Sequence, residues 1–134
     1  MRYQRAELPL SLRGLAAAEQ FFAGCFADGD PTRESLWVAH ADEEMRCIHL
    51  SRHAGDETGT LFPLRTIVAD IAELGSAGIV LAHNHPSGDP RPSDADRRCT
   101  RRLAIVAEAL DCMVLDHLVF AGARCTSFRS TGLL

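Results

Sequence analysis

Two histidines, a serine and an aspartate lie close together near the middle of the chain, in His83-Asn84-His85 and Ser93-Asp94-Ala95-Asp96. Two neutral imidazole nitrogens and one carboxylate oxygen suit a catalytic zinc ion, with a fourth position left open for water. The same ligands also suit ferrous oxygenases, so the residues alone leave the identity of the metal open. We therefore predict that His83, His85 and Asp96 bind one metal ion.

The elements around these residues decide whether the three side chains can meet. The apolar run from Gly78 to Ala82 predicts a strand buried on both faces. Four residues that break regular structure follow it: Pro86, Gly88, Pro90 and Pro92. We expect the backbone to turn directly after Ala82 and helical periodicity to resume at Ser93, which places Asp96 in the first helical turn. A strand end and a helix start, joined by this loop, can aim two imidazoles and a carboxylate at one point.

Each part of this segment also has a structural explanation. Ser93 fits a helix N-cap and Asp96 an acid in the first turn, and both roles are compatible with metal binding. Histidine pairs in polar loops are more often solvated than bound to metal, and Pro-Ser-Gly-Asp-Pro is an ordinary turn sequence. What favours a metal is the joint pattern: His-x-His, seven residues, Ser, two residues, Asp, with each member on the element that coordination requires.

The string from His83 to Asp96 resembles the JAMM signature of the MPN domain metalloproteases. Its fuller form, His-Asn-His-Pro-Ser-Gly followed by Pro92-Ser93, resembles the bacterial RadC branch, and the likeness extends from about Glu34 to the C-terminal Gly132-Leu133-Leu134. The resemblance implies a zinc hydrolase with an MPN fold, which is similar in outline to that of the cytidine deaminases.

The resemblance also implies a role for each site residue. His83, His85 and Asp96 would hold one Zn²⁺ ion, Ser93 would support the oxyanion, and an upstream glutamate would accept the proton of the zinc-activated water. Glu34 occupies the matching place, directly before a predicted strand. Three other glutamates are equal candidates on spacing alone, Glu43, Glu44 and Glu73. The assignment of Glu34 as the base therefore comes from the resemblance.

Several functions remain open. The resemblance implies hydrolysis of an amide bond in a peptide or protein substrate, and the alternative is a RadC-type DNA repair or DNA-binding accessory protein without peptidase turnover. The sequence shows no long insertions like those of ubiquitin-directed JAMM enzymes, so the substrate stays open. It also shows no helix-hairpin-helix segment like that of usual RadC proteins, so we expect no separate DNA-reading module.

A zinc ion that only stabilises the fold is a third interpretation. A nucleoside deaminase is disfavoured, because its His-x-Glu and Pro-Cys-x-x-Cys strings are absent.

Composition narrows the class of protein. A chain of 134 residues, 46% hydrophobic and 24% charged, predicts a single globular domain over 1–134. The sequence has no apolar run of membrane-spanning length and no signal-peptide core, so we expect a cytoplasmic protein that does not enter the membrane. Five widely spaced cysteines predict small buried residues rather than a disulfide frame. All fourteen basic residues are arginine, which excludes lysine-based catalysis.

The remaining elements follow from periodicity and turn residues. We predict helices over 10–26, 63–74 and 93–110, a hairpin of strands 34–40 and 45–50, a polar loop over 51–59, a short strand at 60–62, and strands over 112–120 and 124–129. This order predicts an α/β fold, a three-layer α/β/α sandwich with a mixed sheet.

Two further features carry open interpretations. Arg97, Arg98, Arg101 and Arg102 recur at helical spacing. Such a face is usually only solvated, but it could contact an acidic partner or, weakly, nucleic acid, although the net charge of -4 argues against broad phosphate binding. Asp116-His117 interrupts an apolar strand, where structural hydrogen bonding is the favoured interpretation and support of a metal ligand the alternative. The oligomeric state stays open, with a homodimer as one option.

Overall fold

The strands form one mixed sheet between helices in a computed structural model, which describes residues 11–55 and 62–134. The helices are α1 (Leu15–Ala27), α2 (Leu64–Leu74) and α3 (Asp94–Ala109), and the strands are β1 (Ser35–Ala41), β2 (Cys47–Ala54), β3 (Gly78–Asn84), β4 (Met113–Ala121) and β5 (Arg124–Ser127). The strand order is β2-β1-β3-β4-β5. Strands β3 and β4 are parallel, and the other neighbouring pairs are antiparallel. The predicted mixed sheet is confirmed.

The hydrophobic core is divided between the two faces of this sheet. On one face, Phe22 of α1 belongs to a buried cluster that includes Ala82 of β3. On the other face, Ile67 of α2 and Leu103 of α3 belong to a second cluster that includes Leu81. Because successive strand residues point to opposite faces, one apolar run supplies both clusters. The predicted three-layer α/β/α sandwich is therefore confirmed.

Strand β3 runs further than the sequence indicates. It ends at Asn84 rather than Ala82, so His83 lies inside the sheet. The backbone N–H of His85 still bonds to the carbonyl of Phe120 at 2.8 Å, which continues the pairing with β4 beyond the end of β3. The expected turn directly after Ala82 is wrong. Residues two apart on a strand share a face, so His83 and His85 can point the same way with no turn between them.

Other boundaries differ by a few residues. The predicted loop over 51–59 is wrong at its start, because residues 51–54 pair with β1 and extend β2 to Ala54. Helix α1 begins at Leu15, since Ser11 instead forms an isolated bridge to Arg46. Gly75 ends α2 in the left-handed region with φ 65°, as its position predicted. Of the predicted strand at 60–62, only residue 62 is described, and it is not in a strand; residue 10 also lies outside the described residues.

The cysteines form no disulfide, as the sequence indicates, but only two of them are fully buried, and Cys25, Cys99 and Cys125 are partly buried. All five are free thiols, and Cys47 and Cys112 are buried. Burial raises the pKa of the Cys25 thiol to about 12 and that of Cys112 to about 11, so neither is a reactive thiolate at neutral pH. In the described part of the chain, none of the helices is both long enough and apolar enough to cross a bilayer.

Candidate metal centre

The side chains of His83, His85, Asp96 and Glu34 converge where β1 begins and β3 ends. The two Nε2 atoms of His83 and His85 lie 2.8 Å apart. Oδ2 of Asp96 lies 3.3 Å from Nε2 of His83 and 3.1 Å from Nε2 of His85. Donors bound to a tetrahedral ion at about 2.0–2.2 Å lie about 3.3–3.5 Å apart, so only a small adjustment separates these three atoms from the spacing that zinc requires.

Glu34 lies slightly outside this group of three. Glu34, His83 and His85 offer ligand atoms within 4.8 Å of one another, so together they form a group that could hold a metal ion. Oε1 of Glu34, however, is 3.9 Å from Nε2 of His83, whereas Oδ2 of Asp96 is 3.3 Å from the same atom. The shorter distance favours Asp96 as the third ligand and leaves the Glu34 carboxylate beside the site.

The loop after β3 directs His85. Its Nδ1–H donates to the carbonyl of Asp89 at 2.8 Å, and because a carbonyl can only accept, neutral His85 keeps Nε2 free of a proton. Arg91 donates from Nε and Nη2 to the Asp89 carboxylate, and these hydrogen bonds lower the pKa of that group to about 2. When His85 is protonated, its Nε2–H can donate to the Asp96 carboxylate, and this hydrogen bond raises the pKa of His85, against the effect of burial.

A buried chain of hydrogen bonds supports His83. Its Nδ1 lies 2.7 Å from Nε2 of His117, and Nδ1 of His117 lies 2.7 Å from Oγ1 of Thr100. Burial holds the pKa of His117 well below its ordinary value, so the ring is neutral and carries one proton. With that proton on Nδ1, His117 donates to Thr100 and accepts from Nδ1–H of His83. Nε2 of His83 is then free to bind a metal.

Asp116 and His117 have separate roles. The Asp116 carboxylate accepts hydrogen bonds from the backbone N–H groups of His117 and Arg129 and from the hydroxyl of Ser127. This is the structural hydrogen bonding that the sequence favoured for the pair. For the His117 side chain the contact with His83 favours the alternative interpretation, support of a metal ligand.

Replacing His117 by phenylalanine is expected to weaken zinc binding by about 10- to 100-fold, the usual effect of removing a partner behind a ligating histidine. Phenylalanine fills the ring's volume but leaves Nδ1–H of His83 without an acceptor. Competition with a chromophoric chelator measures the affinity. Phe128→Leu is the matched control, because it removes the ring stacked on His117 at 4.7 Å but no member of the hydrogen-bond chain. Equal losses in the two variants would contradict this role.

Ser93 and Asp96 form the capping box that begins α3. The Ser93 hydroxyl oxygen accepts from the Asp96 N–H at 3.0 Å, and Oδ2 of Asp96 accepts from the Ser93 N–H at 2.8 Å. Burial acts to raise the pKa of Asp96, but hydrogen bonds with His83 and His85 outweigh it and hold the pKa well below its usual range. The cap therefore fixes the carboxylate that faces the two histidines, and the two roles foreseen for Asp96 are compatible.

A cavity of about 580 Å³ lies beside the site, and its lining includes Glu34, His85 and Ser93. The Glu34 side chain is 31% exposed, so it can reach a molecule in the cavity. The Ser93 hydroxyl accepts a bond in the cap, but its own hydrogen is not used there and can be donated. The cavity thus brings a carboxylate, a hydroxyl and the imidazole of His85 together.

The four arginines that the sequence predicted to share a helical face all belong to α3. The side chains of Arg97, Arg98, Arg101 and Arg102 are all exposed on α3. Arg97 also lines the cavity. Within residues 11–55 and 62–134, none of the ion pairs involves these four side chains.

Comparisons with known proteins show the family to which the chain belongs. A sequence model of the RadC-like JAB domain matches residues 13–133, which include every residue of the candidate centre. A UPF0758 protein of Vibrio cholerae is 45% identical over 108 residues, which are 79% of this chain and 68% of the relative. UPF0758 proteins of Aquifex aeolicus and Flavobacterium johnsoniae are 34% and 31% identical over 134 residues, covering 99% and 98% of this chain. The chain spans only 57% and 58% of the length of these two relatives. The resemblance to JAMM proteins of the RadC branch is confirmed, and the chain belongs to the RadC-like JAB domain family.

Proposed function

We propose that this protein is a zinc-dependent hydrolase that cleaves an amide bond in a peptide or protein substrate. Membership of the family supports a metal-dependent hydrolase or a RadC-type role in general terms. The proposal of zinc-dependent amide hydrolysis rests on the convergence of His83, His85 and Asp96. The Glu34 carboxylate lies 3.9 Å from Nε2 of His83, and a cavity lies beside the site.

The donor set fits zinc. Two imidazoles and one carboxylate, with a fourth position left for solvent, are typical of catalytic zinc sites in hydrolases. Bound there, zinc would act as a Lewis acid and lower the pKa of a coordinated water to about 7. The hydrogen bonds made by the Nδ1 atoms of His83 and His85 leave both Nε2 atoms available to it.

Glu34 is the proposed general base. Its partly exposed carboxylate lines the cavity, and Oε1 lies 3.9 Å from Nε2 of His83, close enough to accept a hydrogen bond from a water molecule held beside the metal ligands. Glu34 would take a proton from the attacking water and later return it to the leaving amine.

Ser93 is the proposed oxyanion donor. Its hydroxyl hydrogen is free of the capping bond, and the residue lines the same cavity as Glu34. Because the cap also fixes the serine backbone, the hydroxyl is held in place before charge develops on the carbonyl oxygen, which is what electrostatic stabilisation of a transition state requires.

Metal analysis combined with a peptide-library digest tests the proposal. We expect one zinc ion per chain and cleavage that disappears on chelation and returns when zinc is added. Stoichiometric zinc with no cleavage of any library member would remove the peptidase assignment and leave the metal site intact.

The exposed arginines favour a second candidate, a DNA-binding accessory protein. Arg98 and Arg101 are free to meet phosphates, and such contacts weaken steeply as salt rises. A zinc-loaded protein that cleaves no peptide but binds duplex DNA at low salt, and loses that binding when both arginines are replaced, would favour this candidate. Absence of binding at low salt would remove it.

A further inference from the structure

The side chain of Asn84, which lies between the two histidines, is hydrogen-bonded on both sides of Glu34. Its Oδ1 accepts from the backbone N–H of Ser35 at 2.8 Å, and its Nδ2 donates to the backbone carbonyl of Arg33 at 2.9 Å. Arg33 and Ser35 are the chain neighbours of Glu34. We propose that Asn84 is a positioning residue that holds the Glu34 base at a fixed distance from the metal ligands, an inference that rests on the proposed function.

The position of Asn84 in the sheet explains how it reaches Glu34. Antiparallel pairing between β1 and β3 ends with Leu36 opposite His83, and the carboxamide of Asn84 contacts the next residue of β1 in place of a further backbone pair. Because side chains alternate along a strand, Asn84 points to the face opposite His83. One residue can therefore hold the base segment from one face while its neighbour reaches the metal on the other.

Only a carboxamide satisfies both partners. The Ser35 N–H can only donate and the Arg33 carbonyl can only accept, so the two contacts define which atom of the amide is oxygen and which is nitrogen. Aspartate at this position would keep the bond from Ser35 but would set a carboxylate oxygen against the Arg33 carbonyl. The geometry thus selects asparagine for hydrogen bonding on both sides of Glu34, separately from the zinc chemistry.

The backbone at Glu34 is held from both neighbouring strands. Next to the end of β2, the N–H of Gly55 donates to the Glu34 carbonyl at 3.1 Å, and from β3 the Asn84 side chain holds the two adjacent residues. Residues 31–34 before β1 lie outside any helix or strand, so these bonds define the start of the segment. A displacement of a catalytic group by about 1 Å can cost about 10²-fold in rate.

Amide hydrogen exchange on the whole zinc-loaded chain tests the hydrogen bonds without any need for activity. In Asn84→Ala we expect exchange at the Ser35 amide to speed up by about tenfold or more, because its acceptor is gone, with no change at Ala39 in the middle of β1. Arg33→Ala is the matched control, since it removes an exposed side chain from the same segment but keeps the carbonyl that Asn84 binds. Unchanged exchange at Ser35 in Asn84→Ala would overturn the proposal, whatever the activity.

Kinetics then distinguish positioning from a structural role. We expect Asn84→Ala to lower kcat by about 10- to 100-fold with KM and zinc content little changed, and to have no further effect in a Glu34→Gln background. Asn84→Asp, which keeps the bond from the Ser35 N–H, should fold even if the alanine variant does not, and should speed exchange at Ser35 less than Asn84→Ala does. A loss of rate that merely follows lost zinc, or that is equal in both backgrounds, would overturn the proposal.

A wild-type protein that cleaves no peptide would instead contradict the proposed function. Exchange at Ser35 would still decide whether Asn84 holds the segment around Glu34.

Discussion

Replacing Glu34 by glutamine is expected to lower kcat of the zinc-loaded protein by about 10²- to 10⁴-fold, the usual contribution of a general base, with zinc content unchanged. Glutamine matches glutamate in size but cannot accept a proton at neutral pH. The metal should be retained because Oε1 of Glu34 lies 3.9 Å from Nε2 of His83, further than Asp96 does. Steady-state kinetics on the peptide found by the library digest, with metal analysis of the same sample, measure both quantities.

Glu43→Gln is the matched control for this variant. Glu43 is a glutamate that spacing alone could not separate from Glu34, but it is exposed in the turn between β1 and β2, at the other end of β1. We expect its replacement to leave kcat and zinc content unchanged. An unchanged kcat in Glu34→Gln would remove the base assignment, and a loss of zinc would make Glu34 a metal ligand instead.

Local signals in the sequence were sufficient for most of the fold. Gly75 marks the end of α2 and Ser93 the start of α3, because each satisfies a backbone requirement of the helix terminus that its neighbours cannot meet. The end of β2 was not predictable in this way. Residues 51–54 are mostly polar and read as a loop, and they form a strand because β1 offers pairing partners to them. Tertiary pairing overrides composition there.

The approach of the three candidate ligands to one another could be predicted because all three lie within one short segment, and Ser93 marks the start of the helix that carries Asp96. The end of β3 was predicted two residues too early. His117 could not be assigned in the same way. It lies 34 residues from His83, and its contact depends on the parallel pairing of β3 with β4. That register contains an irregularity between Ile79 and Val80, which decides which side chains of β4 face the site. No local pattern reveals such a shift.

The three candidate ligands are held in place by hydrogen bonds that do not depend on a metal ion. His83 lies within β3, between β1 and β4, and not in the loop that follows, so neighbouring strands hold its backbone on both sides. The Asp96 carboxylate is held by a helix cap, and the His85 ring by a loop carbonyl. Groups that hydrogen bonds already hold in place lose little further freedom when they bind a metal, which favours a preformed centre.

Replacing Asp96 by asparagine is expected to weaken zinc binding by about 10²-fold or more. Losing only a partner behind a ligand costs about 10- to 100-fold, so losing a charged ligand should cost at least the upper end of that range. Asparagine keeps a side-chain oxygen that can accept from the Ser93 N–H, so the cap of α3 should survive and the helix should lose only about 0.3–1 kcal/mol of interaction with its dipole. Chelator competition measures the affinity, and thermal unfolding of the metal-free protein checks the cap.

Asp94→Asn separates ligation from the general effect of charge. It removes the same negative charge from the same first turn of α3, but Asp94 is exposed, and none of the ion pairs found in the described residues involves it. We expect its zinc affinity to match that of the wild type. Equal weakening in both variants would mean that the first turn of α3 attracts the ion only through its negative charge.

Retention of zinc by Asp96→Asn together with its loss from Glu34→Gln would make Glu34 the third ligand beside His83 and His85. The base would then have to come from another residue.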